Sequence, residues 1–254
     1  MYLLLSLRAL ARNKLRAALA MFGVVIGVFS VISIVSLGEA ANRMVQDQIA
    51  SLGANRIVIM PGSATLGGYR SGAGSIQTLV FEDAEAIVKE CPSVFLATPT
   101  VRAEAHVVRA NQNWSTNVMG VNEDFPRIRD WELQAGRFFS AAAARTGTKV
   151  CVLGQTVARN LFGPENAIGQ TVRVRQFPFT VVGVLSKKGE APWGGDFDDV
   201  VVAPFRTVQK KLLGINFIHM VQITARAPED IAPAQDEVMT LLRRRHKIQP
   251  GEED

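Results

Sequence analysis

The side chains that most often bind metals or act as nucleophiles are few and scattered in this sequence. Its histidines are His106, His219 and His246, and its cysteines are Cys91 and Cys151. Zinc sites are usually built from Cys and His ligands at short spacings, and no such spacing occurs here. We therefore predict no metal site. Both cysteines are best interpreted as buried thiols, although a disulfide between them is chemically allowed outside the cytoplasm.

Acidic residues occur in adjacent pairs, an arrangement that could supply a general acid and a general base. Adjacent residues on a strand point to opposite faces, however, so such a pair does not by itself bring two carboxyl groups together. Asp196, Asp198 and Asp199 weakly resemble a calcium-binding loop, but their spacing differs from that of an EF-hand. We expect solvated turns at these positions. Examples of these pairs are Glu82/Asp83, Glu123/Asp124 and Asp198/Asp199.

The sequence motifs of the common enzyme classes do not occur in the printed sequence. It has no G-x-S-x-G nucleophile elbow, no G-x-x-x-x-G-K-[ST] phosphate loop and no G-x-G-x-x-G set between a predicted strand and helix. Trp114, Trp131 and Trp193 are not interleaved with basic residues as on a nucleic-acid platform. We therefore predict no catalytic residue, no cofactor and no nucleic-acid partner.

The longest uncharged stretch lies near the N-terminus. Between Arg16 and Glu39 there is no charged residue and no proline. A helix of about twenty residues, at 1.5 Å per residue, crosses a hydrocarbon layer of roughly 30 Å. We therefore predict a transmembrane helix over residues 17–38. A cleaved signal peptide and a buried core helix are alternatives, but signal peptides usually have shorter apolar regions and core helices usually keep a polar face.

Charged residues flank this predicted helix unequally. Because cytoplasmic flanks collect Lys and Arg, we expect the N-terminus in the cytoplasm and the chain after Gly38 outside it. Residues 1–16 are predicted to form a short amphipathic helix at the cytoplasmic membrane surface, or else to extend the membrane helix. The basic flank consists of Arg8, Arg12, Lys14 and Arg16, and the first charges after the helix are Glu39, Arg43 and Asp47.

Two features of the membrane helix point beyond simple anchoring. Gly23 and Gly27 form a G-x-x-x-G pair, and small residues let another helix approach closely within lipid, so this face is predicted to pack against a second membrane helix. Apolar residues then recur every three to four positions up to Leu52, before Gly53. We therefore predict that residues 39–53 prolong the membrane helix as a stalk.

The remaining residues have an ordinary globular composition, since 48 % of the chain is hydrophobic and the net charge is only +5. The order of predicted elements indicates an α+β fold. Residues 54–121 and 214–254 are predicted to form one α+β subdomain. Residues 122–213 contain short strands and turns, and we predict that they form an inserted, mainly β subdomain with little helix.

Several segments together resemble one protein family. The opening ALARNKLRAALAMFGVVIGVFSVISIVSLGEA and the following GANRIVIMPGS are similar to the start of the MacB-type ABC transporter permeases. The segments LQAGRFF, VCVLGQTVARNLFG, AIGQTVRV, FTVVGVL and DDVVVAPF follow in the order of that family. The resemblance implies an N-terminal membrane helix and stalk that carry an extracytoplasmic region, made of a porter-like α+β subdomain and the inserted β-rich one.

The resemblance also implies a function. In this family two permeases pair, and a cytoplasmic ATPase drives movements that the stalks transmit to the outer domains, which moves substrate already outside the cytoplasm. This chain would then be a permease subunit or fragment of the cytoplasmic membrane, and it ends where the family continues toward three further membrane helices. An ABC ATPase subunit is an expected partner, and any ATP hydrolysis belongs to it. The other expected partners are a second permease copy and, depending on the cell envelope, a periplasmic adaptor and an outer-membrane channel.

Two alternatives stay open. A membrane-anchored extracytoplasmic binding or sensing module without a pump would have the same membrane helix and outer domain. A permease of the lipoprotein-releasing or cell-division type would share that plan, but the block from GQTVARNLFG to VVGVL favours the MacB type.

Overall fold

The computed structural model describes residues 14–51, 55–62, 65–66, 69–70, 77–191 and 195–248. The predicted surface helix at residues 1–16 therefore lies almost entirely outside the described residues, as do Arg8, Arg12 and the predicted helix end at Gly53. The chain divides into two compact units, with the boundary between Ser51 and Leu52.

The first unit is a single long helix, α1 (Lys14–Ser51), of 38 residues. Its segment Met21–Ala40 has a mean hydropathy of 2.3 and is, among the described residues, the helix long and apolar enough to cross a membrane. Large apolar side chains such as Phe22, Phe29 and Leu37 are exposed along it. The hydroxyl of one of its serines, Ser30 Oγ, donates to the carbonyl oxygen of Ile26 at 2.8 Å, which satisfies that group without water.

The second unit is built from short helices and strands. Its helices are α2 (Phe81–Glu90), α3 (Phe125–Arg129), α4 (Ala141–Thr146), α5 (Gln155–Phe162), α6 (Phe205–Thr207), which continues as a π-helical segment (Val208–Leu213), and α7 (Ile231–His246). Its strands are β1 (Arg56–Ile59), β2 (Thr65–Leu66), β3 (Tyr69–Arg70), β4 (Val94–Arg109), β5 (Gln112–Val121), β6 (Leu133–Gly136), β7 (Val150–Leu153), β8 (Thr171–Val174), β9 (Phe177–Leu185), β10 (Glu190–Ala191), β11 (Gly195–Asp196), β12 (Val200–Pro204) and β13 (Met220–Ala225).

Within the described residues, nine of these strands form one sheet in the order β1-β13-β4-β5-β12-β7-β9-β6, with β8 paired to both β4 and β9. Most pairs are antiparallel, whereas β5 with β12 and β7 with β9 are parallel. The predicted α+β class and the N-terminal apolar helix are thus confirmed. The predicted subdomain borders at residues 122 and 213 stay a prediction, and this one sheet runs across both of them.

Side chains alternate between the two faces of the sheet, so the strands bury two separate cores. The larger core lies under α2, α5, α7 and the π-helical segment, and includes Val101, Val107 and Ile223. The smaller core, on the opposite face, includes Phe125, Trp131, Leu185 and Val202. The strands β5, β7, β9 and β12 contribute side chains to both cores, so the sheet separates the two cores and is shared by them.

The structure differs from the sequence prediction at several elements. The sequence pattern predicts two separate strands, over residues 94–101 and 105–110, but β4 runs unbroken from Val94 to Arg109. The helices α3 and α4 were not predicted, because helices of five or six residues are too short to show a periodic pattern. Local chemistry still explains α4, since Ser140 Oγ accepts the amide of Ala143 at 3.3 Å at its N-terminus.

Both cysteines are buried free thiols, which confirms the preferred interpretation over the disulfide. Burial, followed by the negative charges of Glu237 and Glu90, raises the pKa of Cys91 to about 11. Burial alone raises the pKa of Cys151. Because the thiolate is the reactive form, both are inert structural residues in the native fold.

Candidate functional site

The sheet face that carries the smaller core is not covered along its whole width. Over β1, β13 and β4 it lines a groove of about 400 Å³. The strand register explains which side chains meet there: Val58 pairs with Gln222, Met220 with Thr100, and Arg102 with Met119. Directly paired residues of antiparallel strands point to the same face, so these side chains share one surface.

Three arginines from three separate elements line this groove: Arg56 on β1, Arg102 on β4 and Arg129 at the end of α3. The local fold positions Arg129, because α3 stops at Asp130, whose φ of 44° is left-handed. The chain then turns so that the Trp131 amide donates to the Pro126 carbonyl at 2.9 Å. The indole of Trp131 is fixed in turn, since its Nε1 donates to the Ser186 carbonyl at 2.7 Å.

Arg129 is buried, with 9 % of its surface exposed, and it lies among aromatic rings. Its Cζ atom is 5.8 Å from the ring centroids of Phe125 and Trp131 and 5.7 Å from that of Phe197. Its buried Nε has no hydrogen-bond partner, and within the described residues no carboxylate lies at ion-pair distance from its guanidinium. Cation–π contacts therefore replace the usual carboxylate partner.

The basic groups of the groove lie close enough to repel one another. Burial, and then the charges of Arg56 and Arg102, lowers the pKa of Arg129 to about 9. Burial and then Arg102 lower the pKa of Arg56, and partial burial lowers the pKa of Arg102. Burial is thus the main cause of the lowered pKa values, and the like charges of neighbouring arginines add to it at Arg129 and at Arg56.

Lys188 extends this basic group, which we call the cationic cluster (Arg56, Arg102, Arg129 and Lys188). Its Nζ donates to the Arg129 carbonyl at 2.5 Å and lies 5.6 Å from the Trp131 ring centroid. Burial, and then the charge of Arg129, lowers the pKa of Lys188 to about 8, with Asp130 acting in the opposite direction. The lysine therefore adds positive charge beside a site that is already positive.

Two acidic residues border the groove, but their described contacts point elsewhere. Asp199 Oδ1 accepts the Trp114 Nε1 proton at 2.8 Å. Asp196 accepts the Thr156 hydroxyl at 2.5 Å and the Asp198 amide at 2.8 Å. Neither forms an ion pair with the three arginines in the described part of the chain. The positive charge of the cationic cluster is therefore not neutralised by ion pairs with these two acidic residues.

A buried glutamine holds one arginine in place. Gln222 is 1 % exposed, and its Oε1 accepts a hydrogen bond from Arg56 Nη1 at 3.2 Å. The Nε2 of the same residue donates to Thr100 Oγ1 at 2.9 Å. Because both ends of the amide are used, its orientation is fixed, and Arg56 is held over the sheet rather than free to move into solvent.

The comparison with protein families decides the relationship of this chain. A family model described as the MacB-like periplasmic core domain matches residues 17–241. The chain belongs to that family.

Relatives and solved structures agree with this assignment. The chain is 41 % identical over 221 residues to a macrolide export ATP-binding/permease protein MacB of Syntrophobacter fumaroxidans, covering 87 % of this chain and 31 % of the relative. It is 37 % identical over 244 residues to the protein of the same name from an Azoarcus species, covering 96 % of this chain and 36 % of that relative. The chain therefore spans about a third of the length of the curated relatives it matches.

Two solved structures share the fold of the MacB-like domain. The periplasmic region of MacB from Actinobacillus actinomycetemcomitans has a TM-score of 0.66 and 24 % identity, over 78 % of this chain and 87 % of that one. The extracellular domain of the noncanonic ABC-type transporter YknZ from Gram-positive bacteria has a TM-score of 0.62 and 19 % identity, over 77 % and 96 %. At these identities the likeness shows the fold alone.

The predicted membrane-helix residues of this MacB-like chain lie in α1. A side chain added at Gly23 or Gly27 would meet nothing within 4 Å, so this face is open to a second helix. Lys14 is the first described residue of α1, and Arg16 lies in its first turns. The packing role of the two glycines and the topology set by the basic flank stay predictions.

The expectation that the acidic pairs lie on solvated turns is wrong for two residues of the MacB-like domain. Asp83 is 1 % exposed and Asp198 is 2 % exposed. Asp198 is buried because its carboxylate accepts the backbone amides of Lys188 and Gly189, at 2.8 and 3.1 Å. Among the described residues, no group of three or more His, Cys, Asp or Glu side chains is arranged to hold a metal ion.

Sequence reasoning missed the cationic cluster. Its three arginines lie 46 and 27 residues apart in the chain and share no motif. Their meeting depends on β13, which comes from the C-terminal part of the chain and lies between β1 and β4. The one local signal was the alternation of Arg102, Glu104 and His106 along β4, which places these polar residues on the opposite face from Val101 and Ala103.

Proposed function

We propose that this chain is the outer domain and first membrane helix of a MacB-type transporter permease, which couples ATP hydrolysis by a partner subunit to export. Membership of the MacB-like periplasmic core domain family supports this proposal. So do the names of the relatives, which are macrolide export ATP-binding/permease proteins. Those names make a macrolide the first substrate to test.

The observation that carries the coupling part of the proposal is the length of α1. A membrane needs about twenty residues of helix, but α1 has 38 and continues to Ser51 without a break. At 1.5 Å per residue, such a helix is about 57 Å long. A continuous helix of this length is stiff, so a movement at its membrane end would be carried to its far end.

The proposed arrangement has the N-terminus in the cytoplasm and the domain after Ser51 outside it. Lys14 and Arg16 precede the apolar segment, in keeping with the excess of basic residues on cytoplasmic flanks. An ABC ATPase, a second permease copy and, depending on the envelope, an adaptor and an outer-membrane channel would complete the assembly. An anchored binding module without a pump is the second candidate, and the cationic groove is the observation that favours it.

Breaking α1 at the end of its apolar segment tests the coupling. In the complete transporter, Ala40→Pro should reduce macrolide export at least tenfold, because proline removes a hydrogen bond and kinks a helix interior at a cost of about 3 kcal/mol. Ala40→Leu, which keeps the helix, should export at the wild-type rate. The measurements are macrolide resistance, ATPase activity and the amount of transporter in the membrane. Wild-type export by Ala40→Pro at a normal protein level would contradict mechanical coupling through α1.

The small-residue face of α1 can be tested separately. Gly27→Ile fills a position that is open in the single chain, so it should weaken packing against a neighbouring helix and lower export severalfold. Val28→Ile places the same isoleucine side chain at the adjacent position, on another side of the helix, and is the control. If both variants export equally well, Gly27 does not lie at a helix contact.

A further inference from the structure

We propose that the groove over β1, β13 and β4 is a binding site for a small organic anion, one negatively charged group attached to an apolar body. Arg56, Arg102 and Arg129 would hold the charged group, and the methionines and Trp131 would contact the body. This inference goes beyond the proposed function, because it concerns residues of the second unit and holds whether or not the chain belongs to a pump.

The first reason is the absence of an internal counter-charge. Arg129 is 9 % exposed, its buried Nε is unpaired and no carboxylate in the described residues pairs with it. A guanidinium presents five N–H donors in a planar fork that matches a carboxylate or a phosphate. Burying such a group without a partner is unfavourable. A ligand anion at this place would supply the missing acceptor.

The second reason is that the groups next to Arg129 also carry a positive charge. Arg56 and Arg102 line the same groove as Arg129, and Lys188 lies against the Trp131 ring. Gln222 holds Arg56 over the sheet from below. Like charges gathered on one concave surface attract an anion more strongly than any one of them would alone. Besides burial, the charges of Arg56 and Arg102 lower the pKa of Arg129, which fits this arrangement.

The third reason concerns the body of the ligand. Beside the arginines, the groove is lined by Met60, Met119, Met220 and Trp131. Methionine side chains adapt to irregular apolar shapes, and the largely buried Trp131 indole contributes apolar surface to the wall of the groove. The volume of about 400 Å³ lies in the range of small-molecule sites, roughly 300–1,000 Å³. The lining therefore fits a molecule with an apolar part rather than a bare inorganic ion.

The rim limits how much negative charge the groove accepts. Asp196 and Asp199 border it, and neither is paired with the arginines in the described residues. A ligand with several negative charges would be repelled by these carboxylates. We therefore expect a monoanion, such as an aromatic or alkyl carboxylate, to bind better than inorganic phosphate.

The test uses the full chain in discs of phosphatidylcholine at pH 7, with binding measured by calorimetry. The probe is 1-naphthoate, and its neutral analogue 1-naphthamide has nearly the same shape. We expect naphthoate to bind at least tenfold more tightly than naphthamide, and more tightly than inorganic phosphate. Equal binding of naphthoate and naphthamide, or no binding of naphthoate, would overturn the proposal.

Variants locate the site. Arg129→Met keeps an unbranched, largely apolar side chain but removes the guanidinium and its charge, and should weaken naphthoate binding at least tenfold. Arg102→Gln, at a solvent-exposed position that threatens folding less, should weaken it severalfold. The matched control is Arg127→Gln, because Arg127 is largely exposed and pairs with Asp124 at 3.6 Å outside the groove. Circular dichroism checks the fold of each variant. Unchanged binding by folded Arg102→Gln and Arg129→Met would contradict the assignment.

The same chemistry could come from a lipid headgroup or from a soluble molecule. Replacing a third of the phosphatidylcholine with phosphatidylglycerol distinguishes them. Weaker naphthoate binding in these discs would mean that the lipid phosphate competes for the cationic cluster. Unchanged binding would assign the site to soluble organic anions. In both kinds of disc the naphthoate affinity of the variants must follow the same order, with Arg127→Gln highest, Arg102→Gln lower and Arg129→Met lowest.

Discussion

Replacing Gly154 with alanine is expected to lower the free energy of unfolding of the sheet domain by about 3 kcal/mol. A Cβ atom there would overlap the carbonyl oxygen of Asp198, and it would lie 2.9 Å from the carbonyl carbon of that residue and 3.1 Å from the Val200 oxygen. All of these are backbone atoms, which cannot move aside as the end of a side chain can. The cost is steric, since the φ of Gly154 is −74°, a value that alanine adopts freely.

The close approach at Gly154 is maintained by two hydrogen bonds. The Gly154 amide donates to the Val200 carbonyl at 2.8 Å, and the Thr156 amide donates to the Asp198 carbonyl at 3.2 Å. They join the start of α5 to the chain that leads into β12. Moving that chain to accommodate a methyl group would disturb both bonds and also Asp199, which borders the cationic groove.

The measurement is urea unfolding of the full chain in a mild neutral detergent, followed by tryptophan fluorescence. Gly169→Ala is the matched control, because Gly169 has a φ of +81° and open space where a side chain would lie. It should cost only about 1 kcal/mol, from backbone conformation alone. If Gly154→Ala costs no more than Gly169→Ala, the contact with Asp198 does not limit stability.

Local elements of this fold are readable from sequence because local chemistry decides them. The sequence predicts a helix over residues 155–162, because Gly154 and Gly163 flank an amphipathic run there, and α5 has these bounds. The apolar helix near the N-terminus was equally clear, because its length and hydropathy need no tertiary context. By contrast, β4 was predicted as two strands, although its alternating pattern continues through Arg102 and Glu104.

The cationic groove was not predictable for a different reason. Its three arginines meet only because β13 pairs with β1 on one side and with β4 on the other. A sequence pattern can show which side of a strand a residue faces, but it does not give the order of strands formed by distant segments. Single basic residues on strands or short helices also look like ordinary solvated positions, so nothing in the sequence alone distinguished Arg129 from Arg127.

A second large effect is expected where α2 meets α7. Asp83, on α2, is 1 % exposed and accepts hydrogen bonds from Arg245 Nε at 2.8 Å and from the Val80 amide at 3.0 Å. His246 Nε2 lies 2.9 Å from Asp83 Oδ2, the oxygen that also accepts the Val80 amide. Asp83→Asn should cost about 2–3 kcal/mol, because it leaves two partly buried basic side chains without their shared counter-charge.

The matched control for Asp83 is another acidic residue of the same helix. Glu90 forms a 2.5 Å ion pair with Arg244 of α7, but both side chains are largely exposed, at 43 % and 68 %. Water already solvates such a pair well, so Glu90→Gln should cost less than about 0.5 kcal/mol. Equal losses from the two substitutions would mean that burial of Asp83 adds nothing to the contact between α2 and α7.

The pH dependence of the free energy of unfolding separates the contribution of the Asp83 charge from the contribution of its packing. Burial alone would raise the pKa of this carboxyl, but the hydrogen bonds from Arg245, Val80 and His246 outweigh it, so its pKa in the folded state is lowered. The folded state therefore prefers the charged form of Asp83. The stability that this charge contributes is fully present above the unfolded pKa of about 3.9, and it is lost as the pH falls through the lower pKa of the folded state. Unfolding measured at pH 7 and at pH 3 should show the difference between wild type and Asp83→Asn shrinking in acid. A difference that stays constant between these two pH values would mean that Asp83 stabilises the α2–α7 contact by packing and not by its charge.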